Sequence, residues 1–186
     1  MLGLKRGTVA LLPHDVQWEA QARQVIDLLR QVLGDAAQDI QHIGSTAISH
    51  ICAKPILDIA VGMEDPEQVF AFAEELERRG VVFRARDTDR DGGLLFVIGD
   101  FAADTRSCHI HVVVWQGEAW YNYIDLRDYL NAVPEQAVRY ENCKQELAAR
   151  YAHDRERYTE GKGPLIARLL QQARCWRQRK EEEKCE

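Results

Sequence analysis

The chain is 186 residues long, and at roughly 100–200 residues per domain this predicts a single domain around one core. Hydrophobic residues make up 46% and charged residues 29%, ordinary globular usage that excludes a disordered or collagen-like chain. With 24 basic and 30 acidic side chains the formal net charge is −6, which argues against a dedicated duplex-DNA binder and leaves room only for a local basic pocket.

In chain order, Val9 to Leu12 reads as a short strand closed by Pro13. Trp18, Ala22, Val25, Ile26, Leu29 and Leu33 then recur at helical spacing up to Gly34, predicting an amphipathic helix. Ile40 to Ile43 reads as a strand running into Gly44-Ser45-Thr46, followed by a short helix through Ala47 to Ile51. Ile56 to Val61 is an apolar run broken only by Asp58, the pattern of a buried strand. Asp65 suits the cap of a helix carrying Val69, Phe70, Ala73 and Leu76 and ending at Gly80. A hairpin is expected next, with strands Val81–Ala85 and Leu94–Ile98 around the charged turn Asp87–Gly93, and then a strand from His109 to Trp115.

From Ala119 the period becomes helical. One segment carries Trp120, Tyr123, Ile124, Leu126 and Leu130; a second follows Pro134 with Ala137, Tyr140, Leu147 and Tyr151; a third carries Leu165, Ile166, Leu169, Leu170 and Ala173. The segment Arg174 to Glu186 is nearly all polar and is expected to continue a solvated helix or to fray. Strands and helices first and helices last predict an α+β or α/β core with a packed helical part spanning about residues 119–175 and a tail over 176–186. The cysteines, Cys52, Cys108, Cys143, Cys175 and Cys185, are odd in number, widely spaced and without a CxxC pair, so free thiols in a reducing cytosol are expected. The apolar run before Pro13 is too short for a signal peptide, and nothing approaches the roughly 20 apolar residues of a membrane span, so the expectation is a soluble cytoplasmic protein with no membrane partner.

Three features carry chemistry. Gly44 permits close approach of a backbone to a ligand, and Ser45 and Thr46 suit a helix start whose amides and hydroxyls hold a phosphate; the alternative is a plain cap on a short helix. Asp58 sits inside a hydrophobic strand, where a carboxylate is costly unless paired or metal-bound. His109 and His111 alternate on one strand and so share a face, where two imidazoles can grip a metal or contact an anion, or simply face solvent. The third alternating position is Val113, which counts against a histidine-triad hydrolase. Among the basic residues, Arg127 and Lys144 read in isolation as solvated helix positions. Lys162 lies between Gly161 and Gly163 before Pro164, which predicts a junction of two helices where its side chain can turn into a cleft or into solvent.

The strings His42-Ile43-Gly44-Ser45-Thr46-Ala47, Ala53-Lys54-Pro55-Ile56-Leu57-Asp58-Ile59, His109-Ile110-His111-Val112-Val113, Leu126-Arg127-Asp128-Tyr129-Leu130 and Tyr140-Glu141-Asn142-Cys143-Lys144 together resemble the GrpB family of the nucleotidyltransferase-like superfamily, over about Val9 to Ala173. The resemblance implies an α+β fold in which a mixed sheet is flanked by helices and an all-helical C-terminal segment closes one wall of a cleft. It also implies a nucleotide or phosphorylated small molecule as partner, with Gly44, Ser45, Thr46, Lys54, Arg127, Lys144 and Lys162 toward the phosphates. In active superfamily members two carboxylates on one strand and a third on its neighbour bind two metal ions. Here only Asp58 matches; the second position is Ala60, and the neighbouring strand offers His109 and His111. Such a set of Asp58, His109 and His111 would favour one softer ion, manganese or zinc, over magnesium. The reaction class implied is metal-dependent nucleotidyl transfer, with a two-histidine, one-carboxylate hydrolase or a silent nucleotide-binding module as alternatives.

Overall fold

The computed structural model describes residues 2–87 and 93–183. Five strands make the main sheet. They are β2 (Asp39–Ile43), β3 (Leu57–Met63), β4 (Val82–Asp87), β5 (Gly93–Ile98) and β7 (Cys108–Val114), in the order β2-β3-β7-β5-β4. Only β3 and β7 run parallel; the other pairs are antiparallel, so the sheet is mixed. A two-stranded ribbon pairs β1 (Leu4–Lys5) with β6 (Thr105–Arg106), too short to leave a period in the sequence.

Alternation along the central strands sorts residues onto two faces. Leu57, Ile59, Val61 and Met63 of β3 and Ile110 and Val112 of β7 face the main core, where α1 (Gln17–Leu33) lays down Trp18, Ala22, Leu29 and Leu33. That spacing is the helical stripe read from the sequence, and its end at Gly34, in the left-handed region at φ 51°, is the expected stop. Asp58 and Ala60 of β3 and His109, His111 and Val113 of β7 take the opposite face, where Ile43, Ala60, Val113, Ala119 and Trp120 form a smaller cluster.

That second face is covered by the helical third: α3 (Glu118–Ala132), α4 (Pro134–Arg150) and α5 (Arg155–Glu182), while the short α2 (Ala73–Arg78) packs beside α1. Tyr129, Leu130, Ala137, Tyr140, Leu169 and Ala173 form the core of the helical third, and Ile48 and Ile51 from the loop after β2 plug into it.

Several expectations are corrected. The strand at Val9–Leu12 reduces to one bridge, Leu12 to Ala53, because the Val9 amide bonds instead to the Ala152 carbonyl and the segment is stitched to two separate loops. No helix runs through Ala47 to Ile51; a single 3₁₀ turn over Ser45–Ala47 ends at the extended Ile48. Asp65 does cap, accepting from the Glu67 amide at 3.0 Å, but it opens a 3₁₀ segment, Pro66–Phe72, before α2. The hairpin forms with a register shift between Phe83 and Ala85, and positions 88–92 of its expected turn lie outside the described residues. Most consequential, there is no helix junction at Lys162: α5 runs unbroken through Gly161, Gly163 and Pro164.

Packing overrides the local breakers. A Cβ on Gly161 would lie 2.6 Å from Leu147 Cδ2, so the missing side chain is what lets α5 close against α4. Gly163 has no Cβ to clash with the ring of Pro164, which removes much of the penalty a residue before proline carries in a helix. The polar segment after Ala173 stays helical to Glu182 and is tied to α3: Arg174 bonds Glu118 and Asn122, Arg177 lies 3.4 Å from buried Asp125, and the Trp176 ring is 6.1 Å from that of Tyr129. Cys52, Cys108, Cys143 and Cys175 are free; Cys185 lies outside the described residues. Among the described residues no helix is long and apolar enough to cross a membrane.

Candidate functional site

The sheet contributes one wall. The parallel register sets Asp58 beside His109 and Ala60 beside His111, so the three expected site residues share the face turned toward the helices. Asp58 Oδ1 lies 3.1 Å from His109 Nδ1 and 3.4 Å from His111 Nε2. The remaining ring nitrogens are also engaged, His109 Nε2 at 3.4 Å from an Arg155 NH2 and His111 Nδ1 at 3.2 Å from the Tyr123 hydroxyl. Arginine can only donate, so His109 accepts from Arg155 at Nε2 and donates from Nδ1 to Asp58. Burial works to raise the Asp58 carboxyl, but the hydrogen bonds from His109 and His111 outweigh it and hold the group well below the usual carboxylate range.

This arrangement also explains Gly44. The glycine follows Ile43, the register partner of Asp58, and a Cβ there would lie 2.5 Å from Asp58 Oδ2; its φ of 71° and ψ of −169° belong to a region that only glycine enters easily. The close approach is to the chain's own carboxylate.

The expected divalent ion, manganese, zinc or magnesium, does not fit this donor set. Both nitrogens of both imidazoles are spent on protein partners, Ala60 is fully buried where a second carboxylate would be needed, and among the described residues no three His, Cys, Asp or Glu side chains are arranged to hold a metal.

The helices contribute the other wall of a cavity of about 580 Å³, within the range of small-molecule sites. Arg155, Tyr158, Thr159, Lys162, Ile166 and Leu170 line it from α5, and Lys54 joins them from the loop before β3. Lys54 Nζ lies 5.2 Å and Lys162 Nζ 4.7 Å from the centroid of the same Tyr158 ring, cation–π distances that set two ammonium groups against one ring beside the cavity. Burial, then the charges of Lys162 and Arg155, push the Lys54 ammonium down to about 8, with Asp58 opposing. Lys162 therefore faces the same cavity as Ser45 and Asp58, although it does so from mid-helix.

Other expected phosphate contacts are placed differently. Thr46 is 2% exposed and its hydroxyl pairs with His42 Nε2 at 2.9 Å, so it is turned away from the cavity. Burial outweighs the nearby Asp58 charge and lowers the His42 imidazole to about 4, leaving it neutral near pH 7. Arg127 borders the cavity, but its guanidinium is committed to Gln41 Oε1 and the His42 carbonyl, each at 2.9 Å, and to Asp128 at 2.7 Å, where it pins α3 to β2. Lys144 is 1% exposed; its ammonium donates to the Cys52 carbonyl and lies over the Tyr140 ring, and burial lowers it to about 7. Ser45 does line the cavity, its hydroxyl 3.3 Å from that of Tyr140.

Sequence reasoning missed Arg155, Tyr158, Tyr123 and Tyr140. The signal for the first two was present, since Arg155, Tyr158, Thr159, Lys162, Ile166 and Leu170 follow helical spacing, but reading a break at Gly161–Pro164 divided the stripe.

The family profile described as GrpB protein matches residues 8–172. The chain is 36% identical over 171 residues to the glutamate-rich protein GrpB of Alkalihalophilus pseudofirmus, covering 91% of this chain and 98% of that one. It is 26% identical to a dephospho-CoA kinase of Mycolicibacterium paratuberculosis, over 93% of this chain and 48% of the kinase. The crystal structure of the conserved protein GrpB from Enterococcus faecalis superposes with a TM-score of 0.80 at 25% identity, covering 88% of this chain and 96% of that one.

Proposed function

The chain belongs to the GrpB family, and from that premise we propose that it is a nucleotidyltransferase-like protein that binds a nucleotide or another phosphorylated small molecule in the cleft between the sheet and the helical third. The observation that carries this reading is the gathering of Lys54, Arg155 and Lys162 on one wall of a cavity whose sheet side holds the single carboxylate Asp58. Like charges held together at partly buried positions repel, and an anionic ligand relieves that repulsion. Phosphate is the anion best matched to lysine and arginine donors beside a hydroxyl such as that of Ser45. Ile48, Leu126 and Ile166 give the cavity an apolar side on which the remainder of a nucleotide can lie. The likeness to part of a dephospho-CoA kinase agrees with a nucleotide-linked role.

In this reading Asp58, which His109 and His111 hydrogen-bond, would orient an acceptor hydroxyl in any nucleotidyl transfer. Titration calorimetry and thermal shift against a panel of nucleotides and sugar phosphates test the reading. Saturable binding and a raised Tm are expected, both diminished in Arg155→Gln, with pyrophosphate release reporting any transfer. No stabilisation and no binding by any phosphorylated compound would overturn it.

A further inference from the structure

The two walls of the cleft divide the charge in a way that bears on how a phosphate chain is neutralised. On the sheet wall, position 60 is an alanine fully buried against Trp120 and Val113, so the side of β3 facing the cleft offers no carboxylate beyond Asp58. Asp58 in turn accepts from two imidazoles, and its neighbour on β7 is a histidine rather than an acid. A divalent cation needs anionic oxygen ligands to be held beside phosphates, and this wall supplies one, already hydrogen-bonded. Facing it, α5 and the loop before β3 carry cations. Lys54 and Lys162 share the Tyr158 ring, and Arg155 reaches His109 Nε2 at 3.4 Å, which brings its guanidinium next to the imidazole that Asp58 holds.

Positive charge is therefore built into the protein where it would otherwise have to arrive with a metal. Lysine supplies a point charge and arginine a planar fork, the two side-chain types that neutralise phosphate oxygens directly. A single phosphate group carries about two negative charges at most, fewer than Lys54, Arg155 and Lys162 present together. A chain of two or three phosphates matches them better.

Resting on the phosphate-binding reading above and extending it, we propose that the cleft takes a diphosphate or triphosphate without a divalent cation, Lys54, Arg155 and Lys162 serving as the counter-charge. The electrostatics agree with this placement, since burial and then the Lys162 and Arg155 charges lower the Lys54 ammonium, with Asp58 opposing.

The test uses the whole chain with ATP, ADP, AMP and inorganic triphosphate as probes, titrated in EDTA and again in excess magnesium or manganese. ATP, ADP or triphosphate should bind in EDTA at least as tightly as with metal, and at least tenfold more tightly than AMP. Lys54→Met and Arg155→Gln should each weaken that metal-free binding by about tenfold or more, with Tm measured alongside to confirm folding. Binding that appears only with a divalent ion, or AMP binding as tightly as ADP, would overturn the inference and leave the phosphate reading standing. The absence of binding to every probe in both buffers would overturn both. The comparison of buffers on the unaltered protein decides the question even where a variant fails to fold.

Discussion

The sheet wall and the helical wall of the cleft are built on different physics. On the sheet wall each polar group is fixed by a hydrogen bond to another: Tyr123 to His111, His111 to Asp58, Asp58 to His109, His109 to Arg155. Strand register sets the spacing, and the two imidazoles converge on one carboxylate oxygen. Against the helical wall, Lys54 and Lys162 rest on the Tyr158 ring, and the Lys162 and Arg155 charges act against the buried Lys54 ammonium. The expectation that follows is that substitutions among the hydrogen-bonded groups of the sheet wall cost stability, while substitutions of the cations facing them cost the proposed phosphate binding.

The largest expected effect lies on the sheet wall. Gly44→Ala places a Cβ 2.5 Å from Asp58 Oδ2 at a backbone conformation hostile to side chains, and should lower the unfolding free energy by about 3 kcal/mol in chemical denaturation. A variant as stable as the parent would mean that this wall is not rigid. Gly161→Val probes the helical wall in the same way. The obstructing atom is the end of the Leu147 side chain, which can rotate, so a smaller loss of about 2 kcal/mol is expected.

Lys144→Met sharpens the contrast by reversing the sign. The folded chain holds the Lys144 ammonium at about 7 against an ordinary 10.5, so between those values the unfolded chain binds the proton more tightly and stability rises with pH. The cost of burying the charge is complete below pH 7. Removing it, less the lost bond to the Cys52 carbonyl, should stabilise the protein by about 1 kcal/mol at pH 6, the gain fading as pH approaches 10.5. Denaturation curves that stay parallel across that range would exclude the effect. Lys162→Ala should move stability least, by less than about 0.5 kcal/mol, because alanine suits a helix interior. Phosphate-ligand binding should nonetheless weaken about tenfold, and equal affinity in variant and parent would remove this lysine from the site.

Much of the sheet wall is legible in the sequence. A strand repeats every two residues, so the imidazoles at 109 and 111 share a face, and the apolar stripe from Trp18 to Leu33 reads as a helix; that Asp58 joins them is expected from placing both strands in one sheet. What the sequence could not show was which polar groups would spend their hydrogen bonds on the protein itself. Thr46 turns to His42, Arg127 to β2 and Lys144 to the Cys52 carbonyl through contacts that join distant segments, and these leave no mark in local spacing.

The sequence by itself determined the periodic elements and the face that His109 and His111 share, because backbone geometry ties side-chain direction to position along a strand, whereas the parallel pairing of β3 with β7 brings Asp58 to that face. Only the tertiary structure decided that α5 would pass through Gly161-Lys162-Gly163-Pro164 and bring Arg155, Tyr158 and Lys162 onto one wall. The local cost of a proline and two glycines in a helix is a few kcal/mol, and burial of the α5 face against α3 and α4 outweighs it.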